Sequence, residues 1–234
     1  MVNTENMRIT SSSITSLPME LVTEVLARVA ASSSIDLFRA KQSCKMIFEA
    51  SKDNYVYRRA SLEEYPIVSW RENSGVSMFL NECRLNKNPE ALYRKGVVDY
   101  FGGKDLELAF ECLKEAAKSG HDEASYALGI IFLFNGGALK QKGITLLNSM
   151  KKSRIQKRRV KNYRENLRRI LRMIWVKNAL ILNQRPKCCT MQHEKKKSGW
   201  PADEIDEDDN NFCEGCKCDE EIRPICDALP RVFV

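Results

Sequence analysis

The sequence predicts an all-α protein, because apolar residues recur at intervals of three and four positions along most of its length. Three observations support this prediction: an amphipathic segment from Leu17 to Val29, a pattern that repeats after 33 residues, and a long basic stretch that keeps one apolar stripe. The 234 residues are 43% hydrophobic, which is enough for one large or two small folded domains. Only the cysteine-rich tail is expected to be irregular.

The helix from Leu17 onward starts with residues that favour a helix N-terminus. Ser16 can cap the helix, and Glu20 lies near the positive end of the helix dipole. Pro18 loses no hydrogen bond here, because amides in the first turn have no acceptor within the helix. The apolar residues expected on one face are Leu21, Val25, Leu26 and Val29. A second helix is expected from about Asp36, with apolar positions at Leu37, Ala40, Cys44, Ile47 and Phe48. Two short helices of this kind cannot bury both of their faces alone.

These helices resemble the F-box, a three-helix module. The residues that carry the resemblance are Leu17, Pro18, Leu21, Val25, Leu26, Val29, Asp36, Leu37, Cys44, Lys45 and Phe48. The resemblance implies that the module binds the Skp adaptor of a Skp-cullin-F-box (SCF) ubiquitin ligase, and through it cullin, while the rest of the chain recruits a protein substrate. The residues implied for the adaptor interface or its supporting core are Leu17, Pro18, Leu21, Val25, Leu26, Leu37 and Cys44. The alternative is an ordinary helical hairpin of another domain.

Helical periodicity continues beyond this module. One register starts at Tyr55 and ends near Pro66, because proline disfavours helix in the residue before it. A further helix is expected from Ser77 to Leu85, after which Asn-Lys-Asn-Pro breaks the pattern.

A pattern of small and aromatic residues then occurs twice with an offset of 33 positions, which is typical of helix-turn-helix arrays. The equivalent pairs are Ala91 and Ala124, Tyr93 and Tyr126, and Gly96 and Gly129. Together with Ala116, Ala117 and Gly120, these residues resemble the Sel-type variety of tetratricopeptide repeats. The second copy matches only loosely, so we expect about one and a half repeats. The resemblance implies a protein partner on the concave face; the alternative is a set of helices that only pack together.

The segment from Lys151 to Lys177 is heavily basic and contains one acidic residue, Glu165. Apolar residues recur on one face of this segment, which predicts an amphipathic helix with a positive outer face. These apolar residues are Val160, Tyr163, Leu167, Ile170, Leu171 and Ile174. Such a face could attract nucleic acid. We favour a solvated face, or one neutralised by the acidic run at 203–209, because the net charge of +7 is modest. Nucleic acid is therefore not an expected partner.

Six of the nine cysteines lie in the tail, and without an export signal they indicate reduced thiols or metal ligands. Cys213 and Cys216 have the C-x-x-C spacing of zinc ligands. The full candidate set for a structural zinc ion is Cys188, Cys189, His193, Cys213, Cys216, Cys218 and Cys226, and unmetallated thiols are the alternative. No other cofactor is expected. The whole order of segments resembles a plant F-box group with a C-terminal cysteine-rich motif.

Nothing in the sequence indicates an enzyme. Only two histidines are available for acid-base chemistry, and His121 is expected to be a turn or capping residue. There is no glycine-rich phosphate loop and no G-x-S-x-G motif. A RING-like zinc domain would need more ligands than this tail offers. No apolar run approaches the roughly twenty residues of a membrane helix, so we expect an intracellular protein of the nucleus, the cytoplasm or both.

The expected segments are a disordered N-terminus at 1–13, an F-box at 14–62, a connector helix at 63–86, a repeat region at 87–150, a basic helix at 151–182 and a cysteine-rich tail at 183–234. The function expected from them is substrate recruitment in an SCF ligase. Two alternatives remain: a nucleic-acid-associated protein that uses the basic helix, and a freestanding repeat scaffold.

Overall fold

Residues 17–68, 74–191 and 213–230 are described by the structure, a computed structural model, and within these ranges helices alternate with short connections and no β-strand occurs. The all-α prediction is therefore confirmed. The described residues form two compact units, one of residues 17–66 and 74–88 and the other of residues 67–68, 89–191 and 213–230. None of the helices in the described residues is long and apolar enough to cross a membrane.

The helices of the first unit are α1 (Met19–Ser32), α2 (Ser34–Lys41), α3 (Lys45–Ala50), α4 (Asn54–Arg59) and α5 (Ser74–Leu85). Four short helices, rather than the expected three, fill the segment before residue 60. The second predicted helix divides because Cys44 adopts an extended conformation and becomes the N-cap of α3. The register expected from Tyr55 to near Pro66 also stops early, at Arg59.

Pro18 precedes α1 instead of lying inside its first turn. Its carbonyl accepts hydrogen bonds from the amides of Leu21 and Val22, at 3.1 and 3.2 Å, so Pro18 takes the N-cap position itself. The predicted cap, Ser16, lies outside the described residues. Ser33 ends α1 and caps α2, because its hydroxyl accepts the amide hydrogen bond of Asp36.

The core of the first unit is formed by α1 and completed by α5. The ring of Phe79 on α5 packs against the rings of Phe38, Tyr57 and Tyr65, with centroid distances of 5.1 to 6.1 Å. Cys83, one turn further along, is fully buried. In the segment expected to be a connector helix, at 63–86, the structure describes a helix only over Ser74–Leu85, and this helix belongs to the first unit.

The helices of the second unit are α6 (Pro89–Gly102), α7 (Leu106–Lys118), α8 (Asp122–Asn135), α9 (Gly137–Ser149), α10 (Arg154–Met173), α11 (Ala179–Leu182) and α12 (Glu214–Ala228). One continuous cluster of buried side chains extends from α6 to α12. The basic helix and the cysteine-rich tail are therefore parts of the same core as the repeat.

Helices α6 with α7 and α8 with α9 form two equivalent pairs that meet at glycine. A Cβ on Gly96 would lie 2.7 Å from Cγ of Leu113, and a Cβ on Gly129 would lie 2.8 Å from Cδ2 of Leu147. The same crossing recurs although the sequence match of α9 is loose, because Gly143 in α9 also faces the backbone of Gly129. Two complete helical pairs are present, so the expectation of one and a half repeats is wrong.

The expectation of an irregular tail is also wrong for the described part, because 15 residues of it form α12. Side chains at helical spacing attach this helix to the core, and they are Cys218, Ile222, Ile225 and Leu229. Their burial outweighs the unfavourable Pro224 within the helix. The basic helix α10 is shorter than the predicted 151–182, since it ends at Met173 and the short α11 follows.

Candidate functional site

Helix α1 exposes one apolar stripe and buries another. Leu17, Leu21 and Val25 follow one another at four-residue spacing, and they are 40%, 52% and 42% exposed. The adjacent stripe of Val22 and Leu26, continued by Ala27 and Ala30, is almost fully buried in the first unit. An exposed row of large apolar side chains on a helix is typical of a protein-interaction surface.

Further apolar side chains on the same unit are exposed to solvent. They are Met19 on α1, Ile35 and Phe38 on α2, and Phe48 on α3. Together with Leu17, Leu21 and Val25 they constitute what we call the N-terminal apolar surface. Because α1, α2 and α3 contact one another, this group of exposed side chains is a candidate protein-interaction surface.

The residues predicted for the adaptor interface or its core divide by burial. Leu17, Pro18, Leu21 and Val25 are exposed, whereas Leu26 and Leu37 belong to the buried core. Cys44 is exposed at the start of α3. The first group can touch a partner, and the second can only support the helices that do.

Glu64 supports the same region and was not predicted. One carboxylate oxygen accepts hydrogen bonds from the Ser34 hydroxyl at 2.7 Å and the Ile35 amide at 3.2 Å, and the other accepts from the Ser33 hydroxyl at 3.3 Å. The carboxylate thus lies at the N-terminus of α2, where the helix dipole favours negative charge. No local pattern indicates this contact, since about thirty positions separate the partners.

The predicted repeat residues are mostly core residues. Ala91, Tyr93, Gly96, Ala116, Ala124, Tyr126 and Gly129 are buried, Ala117 is half-buried, and Gly120 is an exposed turn residue with a φ of +85°. His121 caps α8 as predicted, because its Nδ1 accepts the amide hydrogen bond of Ala124. Its ring stacks on Tyr93 at a centroid distance of 4.7 Å, and its Nε2 lies 2.8 Å from a Glu90 oxygen. This histidine is fully used in packing.

A buried carboxylate, Glu221 on α12, joins three helices of the second unit. The hydroxyl of Tyr126 donates to one oxygen at 2.7 Å, and Arg164 donates to the other at 3.2 Å. The ammonium of Lys151 lies 2.5 Å from the latter oxygen. Burial, and then the nearby carboxylate, raise the pKa of Tyr126 well above its usual value. Glu221 therefore neutralises only the buried side of the basic segment, at Lys151 and Arg164. The acidic run predicted for that role lies outside the described residues.

The outer face of α10 is positively charged and exposed. Its exposed basic residues are Arg154, Lys157, Arg158, Arg159, Lys161, Arg169 and Arg172. The remaining two, Arg164 and Arg168, are half-buried and pair with Glu221 and Glu165. The opposite face buries Val160, Leu167, Ile170 and Leu171, as the amphipathic pattern predicted.

Three of the predicted metal ligands converge at the N-terminus of α12. The sulfur atoms of Cys189, Cys213 and Cys216 all lie within 4.8 Å of one another, and no other such group occurs in the described residues. The neighbouring thiols raise the pKa of Cys216 to about 12, and the hydrogen bond with Cys189 is the largest cause. We refer to these three residues as the thiol cluster.

The other candidate ligands lie elsewhere. Cys188 and Cys218 are buried, and a hydrogen bond between their side chains, followed by burial, raises the pKa of Cys188. The half-buried Cys226 is two turns further along α12 than Cys218. His193 lies outside the described residues. The structure thus divides the predicted ligand set into a cluster, a buried pair and one separate thiol.

Known proteins resemble the chain in two respects, a helical repeat and F-box relatives. A family model described as plant tetratrico peptide repeats matches residues 62–172. A protein of Arabidopsis thaliana named as an F-box protein is 37% identical over 135 residues, which are 58% of this chain and 45% of that protein. A second Arabidopsis thaliana F-box protein is 28% identical over 128 residues, 53% of this chain and 76% of that protein. No solved structure matches the chain.

The chain therefore spans less than half the length of the first of these relatives. The predicted resemblance to plant F-box proteins is confirmed by the two relatives, and the predicted tetratricopeptide-like helical repeat is confirmed by the repeat model.

Proposed function

We propose that this protein is a substrate-recruiting subunit of an SCF ubiquitin ligase, in which the N-terminal apolar surface binds the Skp adaptor. The observation that carries the proposal is the exposed stripe of Leu21 and Val25 on α1, extended by Leu17 just before the helix. It lies beside a buried stripe that holds the helix in place. The F-box names of two relatives support the same adaptor role.

Apolar side chains that are half-exposed in the free chain can be covered by a partner at little cost in ordering. Each large side chain that becomes fully buried contributes about 1 kcal/mol or more to binding. A few such anchors usually carry most of the energy of an interface. The buried Leu26 and Leu37 position the anchors without touching the adaptor themselves.

In this proposal the second unit recruits the protein substrate, and cullin is reached through the adaptor. The chain carries out no chemistry of its own, and ubiquitin is transferred by other components of the complex. The second unit suits a recruiting role because one continuous core joins its helices into a single folded body. Its substrate would contact exposed side chains, since the repeat residues themselves are engaged in packing.

The proposal is tested by co-purifying the full chain with a Skp adaptor and comparing it with a Leu21→Asp, Val25→Asp double variant. Both positions are exposed, so the variant should keep its helical content and unfolding midpoint while the complex is lost. A matched control is Leu108→Asp, which places the same charge at an apolar position of similar exposure (46%) in the second unit.

The control should bind as the unmodified chain does. A well-folded chain that forms no adaptor complex, or a double variant that binds normally, would contradict the proposal and favour a freestanding scaffold.

The exposed basic face of α10 supports a second candidate function, binding to nucleic acid. Contacts with phosphate release counterions, so affinity would fall steeply with salt. Apolar adaptor binding would change little over the same range. A titration of single-stranded and duplex oligonucleotides at low and at physiological salt separates the two functions.

A further inference from the structure

Three cysteines from two distant segments converge at the N-terminus of α12, and we propose that the thiol cluster binds one zinc ion. Tetrahedral zinc–sulfur bonds of about 2.3 Å place neighbouring sulfur atoms roughly 3.8 Å apart. The sulfurs of Cys189 and Cys213 are 3.5 Å apart, and that of Cys216 lies within 4.8 Å of both. An ion therefore needs only small side-chain movements to contact all three.

The backbone around Cys189 is fixed in place before any ion arrives. The carboxylate of Asp219 on α12 accepts the amide hydrogen bonds of Cys188 and Cys189, at 2.6 and 3.0 Å. A Cβ on Gly215 would lie 2.9 Å from Cα of Cys189, so only glycine permits this approach. The two segments that supply the ligands are thus held together by contacts that do not involve the thiols.

Two further observations concern the position of Cys213 on α12 and the access of an ion to the thiol cluster. Cys213 is the N-cap of α12, and its sulfur accepts the amide hydrogen bond of Cys216 at 3.4 Å. All three cysteines are half-buried and so accessible to an ion from solvent, unlike Cys188 and Cys218.

The chemistry of the donors selects the metal. Thiolates are soft ligands that favour zinc over calcium or magnesium, which take oxygen ligands. Three thiolates leave one coordination position for solvent or another donor. The bound ion would connect the segment at Cys189 to the start of α12, and it would do so independently of adaptor binding by the first unit.

The test uses the reduced full chain, first stripped of metal and then titrated with Co(II), whose bonds to thiolates give a charge-transfer absorption. We expect one Co(II) per chain, and its complete displacement by one equivalent of Zn(II). Cys189→Ser, Cys213→Ser and Cys216→Ser should each weaken binding at least tenfold. The matched control is Cys226→Ser, which alters a half-buried thiol of the same helix outside the cluster and should bind normally.

A second measurement on the unmodified chain avoids any folding defect of the variants. Zn(II) should protect the thiol cluster from alkylation, as mapped by mass spectrometry, while the exposed Cys44 reacts as before. The proposal is overturned if the reduced chain binds no Co(II), if Cys189→Ser binds as tightly as the unmodified chain, or if Zn(II) protects none of the three cysteines. A Cys189–Cys213 disulfide that persists under reducing conditions would overturn it as well.

Discussion

The two units of this molecule handle apolar surface differently. The second unit gathers most of its aromatic and aliphatic side chains into one continuous core that includes its charged helix and the described part of its cysteine-rich tail. Its exposed large apolar side chains, among them Leu108, Ile155 and Trp175, lie in different segments. The first unit has a smaller core and leaves seven large apolar side chains at least one-third exposed, six on α1 to α3 and one, Leu17, just before α1. The difference is one of grouping: the exposed apolar side chains of the first unit are carried by or directly precede the contacting helices α1 to α3, where one partner can cover them.

The largest effect on stability is expected in the second unit, at Glu221. Glu221→Ala leaves Arg164 and Lys151 without their shared carboxylate and removes the acceptor of Tyr126. Removing one partner of a buried ion pair costs about 3–5 kcal/mol, and we expect the lower end because the two cations are one-fifth exposed. Denaturant unfolding followed by circular dichroism measures this free energy.

Glu165→Ala serves as its control, because the ion pair of Glu165 with Arg168 is half-exposed and contributes less than about 1 kcal/mol. If both variants lose the same free energy of unfolding, Glu221 does not hold α8, α10 and α12 together through its buried hydrogen bonds and ion pairs.

The next effect separates two leucines of the same helix. Leu26→Ala should destabilise the first unit by about 2–3 kcal/mol, because a buried leucine is replaced by a cavity. Leu21→Ala should change the free energy of unfolding by less than about 0.5 kcal/mol, because this side chain is half-exposed. Unfolding curves should therefore show the larger loss of stability for Leu26→Ala. Adaptor co-purification should show the larger direct loss of binding for Leu21→Ala. If Leu21→Ala proves as destabilising as Leu26→Ala, the two stripes of α1 are not distinct.

A smaller effect is expected at the helix crossings of the second unit. Gly96→Ala forces a methyl group against Leu113 and the Ala109 carbonyl, and such overpacking costs about 1–3 kcal/mol. Gly102→Ala in the same helix meets nothing within 4 Å, so it should be neutral or stabilise by about 0.5–1 kcal/mol. Thermal unfolding of the two variants measures the difference, and a stabilising Gly96→Ala would contradict the close crossing of α6 and α7.

The smallest effect is expected on the outer face of α10. We expect a triple variant to lose less than about 0.5 kcal/mol of unfolding free energy per substitution, because all three side chains are exposed. The substitutions are Arg158→Gln, Lys161→Gln and Arg169→Gln. Unfolding by denaturant checks this. A loss of several kcal/mol would mean that the face is part of the fold and not a solvated surface.

Sequence periodicity predicted the helices well but not which side of α1 is buried. Apolar residues cover most of the circumference of this helix, so Leu21 and Leu26 both fit an apolar face. Burial is decided by where α2, α3 and α4 pack against α1, and these contacts are not encoded in the local pattern of α1. The 33-residue repeat was easier to predict, because Gly96 and Gly129 mark the same backbone crossing in both pairs.

The tail could not be predicted for a related reason. Pro224 argues locally against a helix, whereas burial of Ile222 and Ile225 against the repeat stabilises one. Spacing alone identified Cys213 and Cys216 as neighbours, but the third member, Cys189, is 24 residues away. From the sequence alone, Cys188 was an equal candidate. In the fold, Cys188 is buried in the core, whereas Cys189 belongs to the thiol cluster.

The most direct test of the comparison between the two units is hydrogen exchange of the full chain with and without the Skp adaptor. We predict that the adaptor slows exchange in peptides from residues 17–50, where the N-terminal apolar surface lies. Peptides from α6 to α9 should keep their exchange rates. Protection confined to the second unit, with residues 17–50 unchanged, would contradict the assignment of the adaptor-binding surface to the first unit.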